Sequence, residues 1–99
     1  MKTLSINLVG IDSWSQFHEY FAHFEDFPSY YGRNMDAWID VMQDYYDEAY
    51  LIKIYVDGPP NAYRKNPFYN AILDCIAFIN YRKVDEGSHE FVAVAAIAE

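Results

Sequence analysis

The sequence has almost nothing that would cross-link the fold or carry the chain into a membrane. Cys75 is the one cysteine, so an internal disulfide is excluded, as is usual in a reducing cytoplasm. Its apolar helical surroundings predict an inert, packed thiol. No stretch approaches the roughly 20 apolar residues of a membrane-spanning helix, and Met1-Lys2-Thr3 leads into alternation rather than a signal-peptide core. We therefore expect a cytoplasmic protein without membrane contact.

Positive charge is also scarce. Seven Lys and Arg stand against 15 Asp and Glu, for a formal net charge of -8. Nucleic-acid binding is not expected, because phosphate contacts depend on Lys and Arg. An acidic domain instead attracts basic proteins and speeds its encounter with them.

Motifs of catalysis and cofactor binding are missing as well. The chain has no P-loop, no GxGxxG and no CxxC. His18 and His23 lie five residues apart, on different faces of a helix, which disfavours a metal pair. We expect no cofactor, no metal site and no enzymatic activity. One enzymatic alternative stays open, a small hydrolase that uses Asp36 and Asp40 as paired carboxylates.

The length of 99 residues predicts a single domain over residues 1–99 with one modest core. Hydrophobic periodicity and turn residues predict the order strand, helix, helix, strand, helix, strand. The predicted strands span residues 3–9, 50–56 and 91–97. The predicted helices span 14–24, 35–46 and 67–83, with Asn66 as the N-cap of the last, and a helical turn is possible in 61–66.

Long helical connections between these strands imply right-handed crossovers and parallel pairing. The predicted fold is therefore α/β, a three-stranded parallel sheet with helices packed on it. The run at 50–56 has the composition of a central strand, and the almost entirely apolar run at 91–97 predicts a strand covered on both faces.

Residues 26–45 contain the most informative pattern. Pro28 and Gly32 punctuate an aromatic loop, and Asn34 is a good N-cap for the next helix. Apolar side chains recur at helical spacing on one side of that helix: Met35, Trp38, Ile39, Met42, Tyr45 and Tyr46. Polar and acidic side chains recur on the other: Asp36, Asp40, Gln43, Asp44 and Asp47.

No cation lies within this acidic face, although like charges four residues apart repel by about 0.2–0.5 kcal/mol per pair. Asp36 gains from its place in the first turn, near the positive end of the helix dipole. The face is either an ordinary solvated surface or a surface kept acidic for a basic partner, and the pattern leaves both open.

The segment Tyr30-Tyr31-Gly32-x-Asn34-x-Asp36-Ala37-x-x-Asp40 resembles the barstar family, intracellular inhibitors of the secreted bacterial ribonuclease barnase. The resemblance implies that the acidic helix and the preceding loop plug the active site of a basic ribonuclease of the barnase type. It assigns the principal carboxylate to Asp40, its partner to Asp36, and the aromatic that covers a catalytic side chain to Tyr30.

The resemblance implies this set of partner-binding residues: Tyr30, Tyr31, Gly32, Asn34, Asp36, Ile39, Asp40, Gln43 and Asp44. Ile39 takes the place of the tryptophan that precedes the principal aspartate in the family, and Trp38 is expected in the core. Arg33 replaces an acid and adds a positive charge at the rim. These departures bear on which ribonuclease is the target.

Three readings remain at this point: a ribonuclease inhibitor, an acidic interaction module or homo-oligomer for another basic partner, and a small hydrolase. Either Tyr30 or Tyr31 could also simply brace the loop. The sequence leaves the target, the affinity and the oligomeric state open.

Overall fold

The structure, a computed structural model, describes residues 2–24, 27–45 and 48–98, without the side chain of Tyr45. Its strands are Lys2–Asn7 (β1), Tyr50–Val56 (β2) and Val92–Ala98 (β3), and its helices are Trp14–Ala22 (α1), Met35–Tyr45 (α2) and Pro67–Asp85 (α3), with a 3₁₀ turn over Ala62–Lys65. The predictions for Tyr46 and Asp47 fall outside the described residues.

The three strands form one parallel sheet in the order β1-β2-β3. Leu4 of β1 pairs with Ile52 of β2, which pairs with Val94 of β3. Alternate residues of β2 are fully buried, because a strand turns successive side chains to opposite faces. The predicted α/β fold, with a three-stranded parallel sheet and helices packed on it, is confirmed.

Side-chain caps place the helix starts where the sequence predicts them. Ser13 Oγ accepts a hydrogen bond from the Gln16 amide at 3.1 Å, and Gln16 Oε1 accepts one from the Asp12 amide at 2.8 Å. Asn66 Oδ1 accepts from the amides of Phe68 and Tyr69. Each cap satisfies amides that have no partner within the helix, and typically contributes about 1 kcal/mol.

Aromatic packing joins α1 to α2. Phe17 and Phe21 of α1 are fully buried, and the Phe21 ring meets the Trp38 ring edge-to-face with centroids 5.7 Å apart. Trp38 has no exposed surface, so the prediction that it belongs to the core is confirmed. This contact fixes the rotation of α2 about its axis, and the opposite face of α2 therefore points outward.

β3 contradicts the prediction of a strand covered on both faces. Val92 is buried, but Ala93 is exposed and the described residues that follow are only partly buried. β3 lies at the edge of the sheet, next to β2 alone. Its apolar sequence consists largely of alanine, and a small side chain at an edge does not require the covering that a run of large ones does.

Two other expectations concern Cys75 and membranes. Cys75 is buried in the core, and burial raises the pKa of its thiol to about 11, so the thiol is neutral and packed as predicted. Among the helices in the described ranges, none is long and apolar enough to cross a membrane.

Candidate functional site

Asn34 connects the aromatic loop to α2. Its Oδ1 accepts a hydrogen bond from the Ala37 amide at 2.8 Å, and its backbone carbonyl accepts one from the Trp38 amide at 3.0 Å. Its Nδ2 donates to the carbonyl of Gly32 at 3.2 Å. The side chain therefore caps the helix and ties down the loop at once, which is a positioning role.

Gly32 lets the loop pass close to the first turn of α2. A Cβ placed on Gly32 would lie 3.2 Å from the Cβ of Ala37, a tighter contact than side chains ordinarily make. A larger residue would push the loop away from the helix. The glycine predicted as part of the site thus shapes it through the backbone.

Tyr31 is directed into the protein. Its side chain is only 7% exposed, its hydroxyl lies 2.6 Å from Nδ1 of His18, and its ring packs edge-to-face on Phe27 with centroids 5.2 Å apart. The structure therefore places Tyr31 as the brace that fastens the loop to α1. Any contact that it makes with a partner would come from the small part of the ring left in the surface.

Tyr30 is directed into solvent. Its side chain is 79% exposed, the largest exposure among the large hydrophobic side chains of the described residues. Beside it lies a hollow of about 270 Å³. The residues lining the hollow come from the loop and from α2: Pro28, Tyr30, Tyr31, Gly32, Ala37, Asp40, Val41 and Asp44. The structure thus brings an exposed aromatic ring together with two of the predicted carboxylates.

Asp36, Asp40 and Asp44 form an acidic row along α2. All three are exposed, and at 1.5 Å of rise per residue successive members are about 6 Å apart along the axis. Within residues 2–24, 27–45 and 48–98, no Arg or Lys forms an ion pair with any of them. The row is therefore an unneutralised negative surface.

The row does not converge on a metal site. No group of three or more His, Cys, Asp or Glu residues in the described parts of the chain could hold a metal ion. Carboxylates on successive turns of one helix form a line, whereas a cation of the Mg²⁺ or Ca²⁺ type is bound by ligands that surround it. The arrangement suits a partner that presents several separate cations.

Two other predicted residues lie at the margin of the row. Ile39 is half-buried and packs against the core. Gln43 is half-buried, and its Oε1 accepts a hydrogen bond from Nη1 of Arg82 at 2.9 Å. Sequence reasoning gave no sign of this contact, because Arg82 belongs to α3 and is 39 residues away in the chain.

Arg33 is not a free charge at the rim. Its Nη1 donates to Oε2 of Glu19 at 2.6 Å, and both side chains are about half exposed. The backbone of Arg33 has φ of 57°, the left-handed region, which reverses the loop before α2 begins. Glu19 and His18, both on α1, hold the loop from the other side, and the sequence alone does not indicate that the loop returns to them.

Acidification is expected to weaken the fold through His18. Burial, and secondarily the charge of Arg33, lowers the pKa of His18 below 6.5. As the pH falls, the unfolded chain therefore takes up this proton before the folded chain does. The free energy of unfolding should decrease from about pH 6.5 down to the lowered pKa and lose this dependence below it.

Urea unfolding at a series of pH values measures this effect, with His18→Gln as the comparison. The variant lacks the titrating group but keeps a polar side chain at the position. We expect a shallower pH dependence of its unfolding free energy as the pH falls below about 6.5. An identical pH dependence in the two proteins would contradict the assignment to His18.

The sequence matches the model of a known protein family. The family model described as Barstar (barnase inhibitor) matches residues 1–95. A comparison with curated protein sequences gives no match. The matched range includes the loop, the acidic row, all of β1 and β2, and the first four residues of β3. A chain with this fold, matched over almost its whole length, belongs to the barstar family.

Proposed function

We propose that this protein is a cytoplasmic inhibitor that binds a basic ribonuclease of the barnase type and blocks its active site. The observation that carries the proposal is the exposed, unneutralised row of Asp36, Asp40 and Asp44 beside the hollow under Tyr30. The description of the family to which the chain belongs names a barnase inhibitor, and this supports the proposal.

The physical basis is substitution for RNA phosphates. A ribonuclease holds the RNA backbone with cationic side chains, and those cations are left without counter-charges when RNA is absent. Carboxylates about 6 Å apart on a rigid helix offer successive negative groups to such a cleft. Charge-assisted hydrogen bonds formed there are shorter and stronger than neutral ones, and they strengthen further as the interface excludes water.

The predicted residues divide into two roles. Asp40 would form the central ion pair because it lines the hollow and is the middle member of the row, with Asp36 and Asp44 one turn away on either side. Tyr30 would lay its exposed ring over a side chain that enters the hollow. Tyr31, Gly32 and Asn34 would hold the loop in place, while Ile39 and Gln43 would contact the partner at the edge.

A catalytic role for the carboxylates has less support. A pair working as acid and base needs one desolvated and one solvated carboxyl group. Asp36 and Asp40 are both exposed on the same face of one helix, so their surroundings are alike. We therefore infer a binding protein without enzymatic activity.

Titration of a ribonuclease tests the proposal. Purified protein is added to barnase at a fixed concentration, and the cleavage of RNA is followed. We expect activity to fall linearly and to stop near one equivalent. Full activity in the presence of excess protein would contradict the proposal and favour an acidic interaction module for a different basic partner.

Association should depend strongly on salt. The protein carries a net charge of -8, and opposite charges on a basic ribonuclease accelerate the encounter of the two. Raising the ionic strength from about 0.01 M to 1 M shortens the Debye length from about 30 Å to about 3 Å. We expect the association rate constant, measured by stopped-flow fluorescence, to fall at least about tenfold, with a smaller change in the dissociation rate. A flat profile would exclude charge steering.

A further inference from the structure

Arg82 brings a fixed positive charge to the margin of the acidic row. It extends from α3 towards α2, where its Nη1 donates to Oε1 of Gln43 at 2.9 Å. Its guanidinium also lies over the ring of Phe78, with the central carbon 4.4 Å from the ring centroid. A hydrogen bond and a cation–π contact together restrict an otherwise flexible side chain.

No carboxylate in the described residues neutralises this guanidinium by an ion pair. Its hydrogen-bond acceptor is the uncharged amide of Gln43. Arginine has five N–H donors, so one bond to Gln43 leaves most of them for another acceptor. The positive charge of Arg82 therefore persists next to a strongly negative surface.

A second hollow connects Arg82 with the acidic row. It has a volume of about 310 Å³, and its lining residues include Gln43, Asp44, Arg82 and Glu86. Asp44 lines this hollow and also the hollow under Tyr30. A partner large enough to cover Asp40 and Asp44 would therefore also approach Arg82.

We propose that Arg82 determines which ribonucleases this protein accepts, by favouring a target that presents a carboxylate opposite Arg82 and disfavouring one that presents Lys or Arg there. The inference rests on the proposed function. A guanidinium fork matches a carboxylate with two parallel hydrogen bonds. Against a cation, the same fixed charge is repelled, and discrimination between partners arises from both effects.

The alternative is that Arg82 only helps α3 to pack against α2. In that case its replacement would change the stability of the protein, and its effect on binding would not depend on the charge of any particular residue of the ribonuclease. A double-mutant cycle separates the two roles, because it isolates the coupling between one residue and one partner residue.

Barnase serves as the probe for this cycle. Each Lys and Arg around the rim of its RNA-binding cleft is replaced by Glu, one at a time, and the Kd is measured against the wild-type inhibitor, Arg82→Gln and Arg82→Glu. Arg64→Glu is the matched control. Arg64 is also exposed and also lies over an aromatic ring, that of Tyr63, and its replacement changes the net charge equally. Urea unfolding verifies that each variant is folded.

At one or more rim positions of the ribonuclease, we expect charge reversal to couple with Arg82→Glu by about tenfold or more in Kd. The sign should be that a ribonuclease with Glu at this position binds the wild-type protein, which has Arg82, better than it binds the Arg82→Glu variant. Arg64→Glu should couple by less than about twofold at every position. Couplings of Arg82 no larger than those of Arg64 would overturn the inference.

Failure of the role of Arg82 can be distinguished from failure of the proposed function. If wild-type protein inhibits barnase and Asp40→Ala weakens the complex, but Arg82 shows no coupling, only the role of Arg82 is wrong. If wild-type protein neither binds nor inhibits barnase, the proposed function fails, and the role of Arg82 fails with it.

Discussion

Replacement of Asp40 by alanine is expected to weaken the complex with a barnase-type ribonuclease by at least about 100-fold in Kd, while the free energy of unfolding changes by less than about 0.5 kcal/mol. The binding loss is large because the carboxylate would lie between cations that become desolvated in the complex. The fold loses little because Asp40 is exposed and, among the described residues, has no ion-pair partner.

Isothermal titration calorimetry and urea unfolding measure the two quantities on the same protein. Asp12→Ala is the matched control, because it removes the same charge from an exposed position. Asp12 lies before α1, outside both hollows of the candidate surface. It should reduce affinity only slightly, through the net charge. Parallel losses of binding and stability in Asp40→Ala would instead mark Asp40 as a structural residue.

Replacement of Trp38 by alanine is expected to have the opposite effects, a large loss of stability and a small loss of ribonuclease affinity. The indole is completely buried and packs on Phe21, so its removal leaves a large cavity and should lower the unfolding free energy by about 3–5 kcal/mol. At concentrations and temperatures where the variant is still folded, ribonuclease affinity should fall far less than in Asp40→Ala.

Trp38→Phe refines this test. Among the described residues, Nε1 of Trp38 is buried without a hydrogen-bond partner, and a buried unsatisfied donor costs about 1–3 kcal/mol. Phenylalanine removes that donor and leaves a smaller cavity, so Trp38→Phe should be clearly more stable than Trp38→Ala. A Trp38→Ala protein of normal stability that no longer binds the ribonuclease would place Trp38 in the interface.

Local patterns in the sequence predict most of the fold. The predicted limits of β2 agree with the structure, and its C-terminal limit is clear in the sequence because Asp57-Gly58-Pro59-Pro60 ends an apolar run abruptly. Asn66-Pro67 likewise predicts the start of α3. β3 shows the limit of this approach, because composition reports apolar character and does not distinguish a covered strand from an alanine-rich edge.

In the candidate site, too, local features are predictable from the sequence and tertiary contacts are not. The acidic row is predictable because its members are a helical turn apart and their common face follows from helix geometry alone. The difference in exposure between Tyr30 and Tyr31 cannot be predicted in this way, because neighbouring tyrosines have the same local sequence signals. It depends on the contact of Tyr31 with His18, which is 13 residues away in the chain. The contacts of Arg33 with Glu19 and of Arg82 with Gln43 are tertiary in the same way.

These tertiary contacts also bear on the proposed function. The bond to Glu19 partly offsets the charge of Arg33, whereas Arg82 remains without a carboxylate partner in the described structure. Two cations that appear equivalent in the sequence therefore differ in what they would offer to a ribonuclease. Under the proposal made above, only Arg82 would discriminate between targets.

Competition with a nucleotide tests most directly whether the acidic row of α2 occupies the place of RNA phosphates. The affinity of the protein for barnase is measured by calorimetry at increasing concentrations of a mononucleotide that binds the active site. We expect the two ligands to exclude one another, so that the apparent Kd of the protein rises linearly with the nucleotide concentration. An unchanged Kd, with nucleotide bound to the ribonuclease–inhibitor complex, would show that the acidic helix binds elsewhere.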